Sequence, residues 1–371
     1  MNYKILLIIL AFLFIYFMAN FYVGASIFKG VNTILTLSPK VFWPIFWIIA
    51  FSYIISMLLS RFMPSTINNI LYLVGVYWMV ALGYSLILFP IIHFLKWAFG
   101  ANSTALNYIV ISLVIIFFMF VGIYGTYNGS NSYVNAFNVS KNNKNVPSLN
   151  IAMISDIHLG NLIENKRLAR MVEEINELNP DLVIIAGDIV DSDIKPFVDK
   201  NMALEFSKIK SKYGTYAALG NHDFMGGHGD VITEELKKAG VHVLRNEAFL
   251  VENSFYVIGR DDVSIKRFKG ERPSLEDIVK DLDKSKFKIV IDHTPTSIIE
   301  SEEMGIDLHF SGHTHRAQMW PFNFITGRLF EIDHGYLKKD NLQVVVSSGY
   351  GTWGPPIRIG SRSEIIIIDI K

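Results

Sequence analysis

Five short stretches of this 371-residue chain place acids, histidines and an amide at the ends of apolar runs. They are Asp156 with His158, Gly187-Asp188, Gly220-Asn221-His222-Asp223, Asp292-His293, and Gly312-His313-Thr314-His315. An acid and an imidazole two residues apart, just past the run Leu149-Asn150-Ile151-Ala152-Met153-Ile154, have no packing reason to be there. Carboxylate, imidazole and amide oxygen are hard-to-borderline donors, suited to manganese, iron or zinc and not to metals that seek thiolates. Residues one apart on an extended segment point the same way, so His313 and His315 can serve neighbouring ions. Glycines at 187, 220 and 312 fit a chain that turns sharply where strand becomes loop, with backbone close to a ligand. An isolated D-x-H pair is more often surface than ligand. Five such stretches in one domain, each behind a strand, point to strand ends converging on a pair of metal ions.

The elements that position them read as alternating strands and helices from Leu149 onward. Leu168, Met171, Val172, Ile175 and Leu178 keep the spacing of an amphipathic helix, which Asn179-Pro180 stops. Further helices are predicted near 231–239 and 275–282. Strands are predicted at 181–186, 215–219, 255–258, 287–291, 308–310, 342–346 and 364–370. Alternation early and strand-rich sequence late predict a layered α/β domain with more than one sheet.

Upstream, residues 1–126 contain Lys4, Lys29, Lys40, Arg61 and Lys96 and no acid. The chain holds 34 basic and 34 acidic residues, so 127–371 carries 29 against 34, a net of −5. That excludes a basic footprint for nucleic acid. The absence of cysteine excludes disulfides, thiolate metal sites and cysteine nucleophiles. Four apolar segments, at 5–28, 41–60, 70–94 and 105–124, are long enough to cross a hydrocarbon core. None carries an internal charge that would mark an ion or proton path. Lys4 ahead of an apolar core, with Val23-Gly24-Ala25, also fits a signal peptide, but the length of the run and the three spans after it favour an uncleaved helix. The expected organisation is a four-helix transmembrane domain at 1–124, an Asn-, Ser- and Gly-rich linker at 125–148, and a catalytic domain at 149–371. Lys4, Arg61, Lys141 and Lys144, against Lys29, Lys40 and Lys96, place the catalytic domain on the cytoplasmic side of a multi-pass membrane protein.

The series Asp156-x-His158, Gly187-Asp188, Gly220-Asn221-His222-Asp223, His293 and Gly312-His313-x-His315 resembles that of the calcineurin-like metallophosphoesterases, over about Leu149 to Lys371. The tail Gly351-Thr352 … Pro356-Ile357-Arg358 … Gly360-Ser361-Arg362-Ser363-Glu364-Ile365, with the membrane half, further resembles the subgroup of transmembrane proteins with a metallophosphoesterase domain, related to bacterial envelope-type phosphodiesterases. The resemblance implies a two-sheet β-sandwich flanked by helices behind the transmembrane bundle. It also implies two divalent metal ions, one held by Asp156, His158, Asp188 and His315, the other by Asp188, Asn221, His293 and His313. His222 would not ligate but would protonate the leaving group, with a metal-activated water attacking phosphorus in line. The expected activity is that of a phosphodiesterase. The expected partners are membrane lipids and a phosphate-ester substrate that is lipid-linked or membrane-proximal. Relatives often have Gly-Gly-Gln after the last motif, where this chain has Arg316-Ala317-Gln318. The competing reading is a non-catalytic membrane scaffold that retains the fold.

Other residues invite roles and leave alternatives open. Asp223 is either the group that orients His222 or a solvated loop acid. Asp191 is either a supporting residue or a loop acid, and His228 is either a substrate contact or a mobile loop histidine. His242, His309 and His334 are expected to satisfy structural hydrogen bonds. Gly349-Tyr350-Gly351-Thr352-Trp353-Gly354 is formally G-x-G-x-x-G, but Pro355-Pro356 follows in place of a helix, so it reads as a turn-rich loop lining the site with Trp353 and Arg358. Asp261 and Asp262 could pair with Arg358 or Arg260.

Overall fold

A computed structural model describes residues 3–100, 103–142, 145–268 and 270–371; Lys144 lies outside the described residues. The chain divides into two compact units, Met1–Ile123 and Tyr124–Lys371. The first is built from α1 (Tyr3–Val31), α2 (Pro39–Leu59), α3 (Ser65–Ala98) and the start of α4 (Thr104–Ser130). All four helices are long and apolar enough to cross a membrane, as a multi-pass membrane protein requires. Small residues set their packing: a Cβ at Gly75 would strike the Tyr53 backbone, and one at Gly24 the rings of Phe46 and Trp43. Buried Asn20 accepts a hydrogen bond from the Trp78 indole at 2.8 Å, so this amide is satisfied internally.

The second unit runs β1 (Tyr133–Val139), β2 (Leu149–Ile154), α5 (Asn165–Glu177), β3 (Leu182–Ala186), α6 (Lys195–Asp199), β4 (Thr215–Ala218), α7 (Gly229–Lys238) and β5 (Val241–Val243). It continues through β6 (Glu247–Val251), β7 (Phe255–Arg260), α8 (Leu275–Val279), β8 (Phe287–Asp292), α9 (Ile298–Glu303), β9 (Leu308–Ser311), α10 (Asn323–Leu329), β10 (Gly335–Lys339), β11 (Leu342–Val346) and β12 (Glu364–Ile370). Two six-stranded sheets form, in the orders β1-β12-β2-β3-β4-β5 and β10-β11-β9-β8-β7-β6. Ile151, Met153, Ile184 and Ile366 of one sheet pack against Phe255, Phe287, Ile289 and Phe310 of the other. Leu168, Met171 and Ile175 of α5 and Ile232 and Leu236 of α7 cover the outer face of the first sheet. Leu275 of α8 and Ile298 of α9 cover that of the second. Strands covered on both faces are mostly apolar, which is why β3 reads as an unbroken hydrophobic run and β7 and β8 depart from one only at Arg260, Lys288 and Asp292. The architecture is the expected two-sheet sandwich flanked by helices behind four apolar helices.

The stretch expected as a linker is mostly structured. Gly125–Ser130 continue α4, and β1 pairs in parallel with β12 from Tyr133↔Glu364 to Val139↔Ile370. As an edge strand β1 alternates half-buried and exposed side chains, with Asn135 on the half-buried face and Asn138 on the exposed one. In the centre of each sheet β2-β3-β4 and β7-β8-β9 run parallel, and parallel strands bring their carboxyl ends to one edge. All five chemical stretches lie just past those ends, where open parallel sheets generally place their ligands.

Candidate metal centre

The sandwich brings two groups of donors together. Asp156 Oδ1 and His315 Nε2 are 3.3 Å apart, and His315 Nε2 and His158 Nε2 3.1 Å. In the second group Asp188 Oδ2 and His293 Nε2 are 3.1 Å apart, His293 Nε2 and Asn221 Oδ1 3.2 Å, and Asn221 Oδ1 and His313 Nδ1 2.8 Å. The same Asp188 Oδ2 lies 3.9 Å from His158 Nε2, between the two groups.

These residues are held at a cost. Asp156, His158, Asp188, His313 and His315 all have positive φ, between 48° and 71°. Side chains in that region are disfavoured by about 1–2 kcal/mol each, and such strain persists only where surrounding structure over-determines it. Here the backbone ties are dense: Asp156 N donates to Gly187 O (2.9 Å), His158 N to Asp188 O (3.0 Å), and Gly351 N to Asp156 O (2.8 Å). The glycines complete the cradle. A Cβ on Gly220 would enter the Asp188 carboxylate, one on Gly312 that of Asp156, and one on Gly187 would come within 2.6 Å of His293 Nδ1. Arg316, Ala317 and Gln318, standing where relatives often have Gly-Gly-Gln, also keep positive φ (49°, 55° and 58°). Three side chains thus sit in a region of φ that glycine adopts more readily.

Burial and mutual charge shift His158, His313, His315 and Asp188 towards the forms that bind cations, and Asp156 and His293 away from them. Burial pushes His158 down to about 4, and burial also holds His313 and His315 below the usual imidazole range, with their neighbouring imidazoles adding to the effect. These rings are therefore neutral, the form that ligates. Burial pushes Asp156 up, whereas at Asp188 the same burial effect is overcome by His293, His158 and His222, which hold its carboxyl well below the ordinary range. His293 is raised despite burial by the Asp188 and Asp156 carboxylates. A fit to two divalent ions rests on three observations. The Nε2 atoms of His158 and His315 face each other at 3.1 Å, and His158 Nδ1 is buried without a hydrogen-bond partner. The donor separations near 3 Å also match the edges expected of a coordination shell with bonds of about 2.0–2.2 Å.

His222 stands beside the first group, its ring at 4.7 Å from the His158 ring and perpendicular to it. Its backbone N donates to Asp188 Oδ1 (2.8 Å), and its Nδ1 is 3.1 Å from Asp191 Oδ1 and 3.3 Å from Ser192 Oγ. Burial lowers the His222 pKa, but the Asp191 hydrogen bond and the Asp188 charge outweigh it and leave the ring raised. Asp191 is therefore the partner of His222. Asp223 is neither orienter nor solvated acid: it is fully buried and accepts from the amides of Ile189 (3.2 Å), Val190 (2.8 Å) and Gly220 (2.8 Å). The signal for Asp191 was its place three residues past Asp188, on the same loop.

The remaining candidates have structural partners. His309 bridges Ser301 and Ser311, His334 meets Glu364, and His242 stacks on Tyr216. Asp261 pairs with Arg245, Asp262 accepts from Thr294, and Arg260 pairs with Asp292 and Glu300. Arg358 is fully buried under the site, donating to the carbonyls of Ser348, Gly349 and Gly351 and lying 3.3 Å from His315 Nδ1. The loop from Gly349 therefore forms the floor behind Asp156, and Trp353 on it points to solvent.

Residues 149–317 match the calcineurin-like phosphoesterase family. An uncharacterized metallophosphoesterase of Campylobacter jejuni is 34% identical over 224 residues, 60% of this chain and 59% of that protein. Another, of Aquifex aeolicus, is 32% identical over 227 residues, 60% of this chain and 85% of that protein. The Danio rerio "transmembrane protein with metallophosphoesterase domain" is 31% identical over 244 residues, 63% of this chain and 55% of that protein. The chain spans less than two thirds of the length of the Campylobacter and Danio relatives.

Proposed function

The chain belongs to the calcineurin-like metallophosphoesterases, and on that premise we propose that it is a membrane-anchored phosphodiesterase with a dinuclear metal centre, its catalytic domain on the cytoplasmic side. The observation that carries this reading is the convergence of seven donors into two groups with Asp188 between them. Asp156, His158, Asp188 and His315 would hold one ion, and Asp188, Asn221, His293 and His313 the other. Two such cations, manganese, iron or zinc, supply Lewis-acid polarisation of phosphoryl oxygens and a water acidified towards neutral pH. The protein residues do the rest. Asp188 sets the separation of the two groups and offsets their charge. Asp191 accepts a hydrogen bond from His222 Nδ1–H and so fixes the ring, leaving Nε2 to carry the proton given to the departing alkoxide. The four apolar helices favour a phosphodiester that is lipid-linked or membrane-proximal.

Assay of the purified full chain with Mn²⁺ tests the reaction class. About two ions per chain, with phosphodiesters cleaved faster than phosphomonoesters, is the expected result. A metal-free protein that hydrolyses neither would support the scaffold reading. Fusing a reporter that is active on only one face to the C-terminus tests the orientation. Asp191→Asn is expected to lower kcat by about 10–100-fold, the scale for losing a supporting hydrogen bond, while metal content stays unchanged. Unchanged kcat in that variant would remove Asp191 from the mechanism.

A further inference from the structure

Beside the candidate centre lies an apolar surface that the hydrolytic reading does not use. Trp320, Phe324, Ile325, Leu329 and Trp353 are each more than half exposed, on the segment that follows His315 and on the loop that follows β11. Monomeric soluble domains rarely leave so many large side chains together in water. The two segments form one surface. The Gln318 side chain donates to the carbonyls of Trp353 (3.2 Å) and Pro355 (2.8 Å) and accepts from Trp353 N (2.9 Å), while Trp320 N donates to Ile359 O (2.6 Å).

Two further observations say what covers it. The loop is bonded to the final turns of α4: Arg358 N donates to Gly125 O (2.9 Å), and Asn128 Nδ2 lies 3.4 Å from Arg358 O. Gly125 and Gly129 permit this approach, since a Cβ there would strike Ile357 and Pro356. The earlier turns of that same helix are apolar enough to cross a bilayer. The charge within the two segments is basic. Residues 316–330 and 347–363 contain four arginines, of which Arg316, Arg328 and Arg362 reach solvent, and no Asp or Glu; Glu331 and Asp333 follow the first segment, and the Asp333 carboxylate accepts from Thr326 Oγ1.

We propose that this surface docks on the membrane interface, with the indoles of Trp320 and Trp353 at headgroup level, Phe324, Ile325 and Leu329 at the acyl boundary, and the arginines against anionic headgroups. Aromatic and aliphatic side chains ringed by cations are the chemistry of an interfacial anchor. Because the Phe330 ring sits 6.2 Å from that of His313, docking holds the mouth of the metal centre at the lipid surface. A phosphate on a membrane-held substrate then reaches the site without leaving the bilayer.

The absence of cysteine makes a direct test available. Phe324→Cys and, separately, Leu329→Cys carry an environment-sensitive fluorophore in the full chain, reconstituted in nanodiscs of phosphatidylethanolamine and phosphatidylglycerol. Lys284→Cys, exposed on a distant loop, is the control. The labels at 324 and 329 are expected to emit to the blue of the control and to be quenched severalfold more strongly by headgroup-proximal nitroxide lipid, and less by iodide. Iodide quenching equal to the control would show that the surface faces water and overturn the proposal. Shielding from both quenchers would show a protein cover, a second copy included, and overturn it equally. The readout is position and not turnover, so it stands or falls independently of the hydrolytic reading.

Discussion

Asp188→Asn is expected to lose bound metal and turnover together. Asp188 is the one carboxylate placed between both groups of donors, 3.1 Å from His293 Nε2 and 3.9 Å from His158 Nε2. Its neighbours, His293 foremost, overcome its burial and hold its carboxyl well below the ordinary range, so its negative charge is available to two cations. An amide in its place keeps the shape but removes the charge that offsets them, and the remaining donors face two divalent ions with only Asp156 as an anion. The loss should be on the order of 10³-fold or more in kcat, beyond the roughly 10–100-fold of a supporting contact, with metal content falling in step. Elemental analysis of the purified variant beside its turnover with Mn²⁺ checks this. A variant that retains two ions would show that the bridge lies elsewhere.

His222→Ala is expected to separate the two readouts. Its ring nitrogens belong to neither of the groups centred on Asp156 and Asp188, and its Nδ1 is spent on Asp191. Removing it should leave both ions in place and lower kcat by about 10²–10⁴-fold, the range for general acid catalysis. The same variant should lose much less on an ester with a nitrophenolate leaving group, which departs without needing a proton. The third cluster, His158, Asp191 and His222, supplies the contrary outcome: metal depletion in His222→Ala would make His222 a ligand and not an acid. Comparing Asp191→Asn on both esters then tells whether Asp191 acts through His222, because a merely structural role would not depend on the leaving group.

The expectations that failed share a physical cause. Adjacency to His222 suggested Asp223, but neighbouring side chains on a turn point apart, and three amides from the Asp188 and Gly220 loops turn Asp223 inward. Asp191 reaches the ring from 31 residues away, a distance that only the pairing of β3 beside β4 closes. The polar content of 125–148 suggested a linker, but Gly125–Ser130 end a helix and Tyr133–Val139 form an edge strand with asparagine on both faces, a composition that a loop shares. Arg358 offered no charge partner to find: it binds backbone carbonyls, which carry no signature in the residue types.

What the sequence by itself determined is the chemistry and the layering. Unbroken apolar runs dictate buried strands, their alternation with amphipathic helices dictates a layered sandwich, and acids, histidines and an amide behind five such runs dictate hard-metal donors at the strand ends. Four long charge-free segments dictate helices that cross a membrane. Only the tertiary structure decided which donors share an ion, which acid serves His222, and where the exposed indoles lie relative to the centre. Those are contacts between residues tens to hundreds of positions apart. They follow from parallel pairing of β2, β3 and β4 and of β7, β8 and β9, which brings separate loops to one edge, and local pattern carries no record of that register.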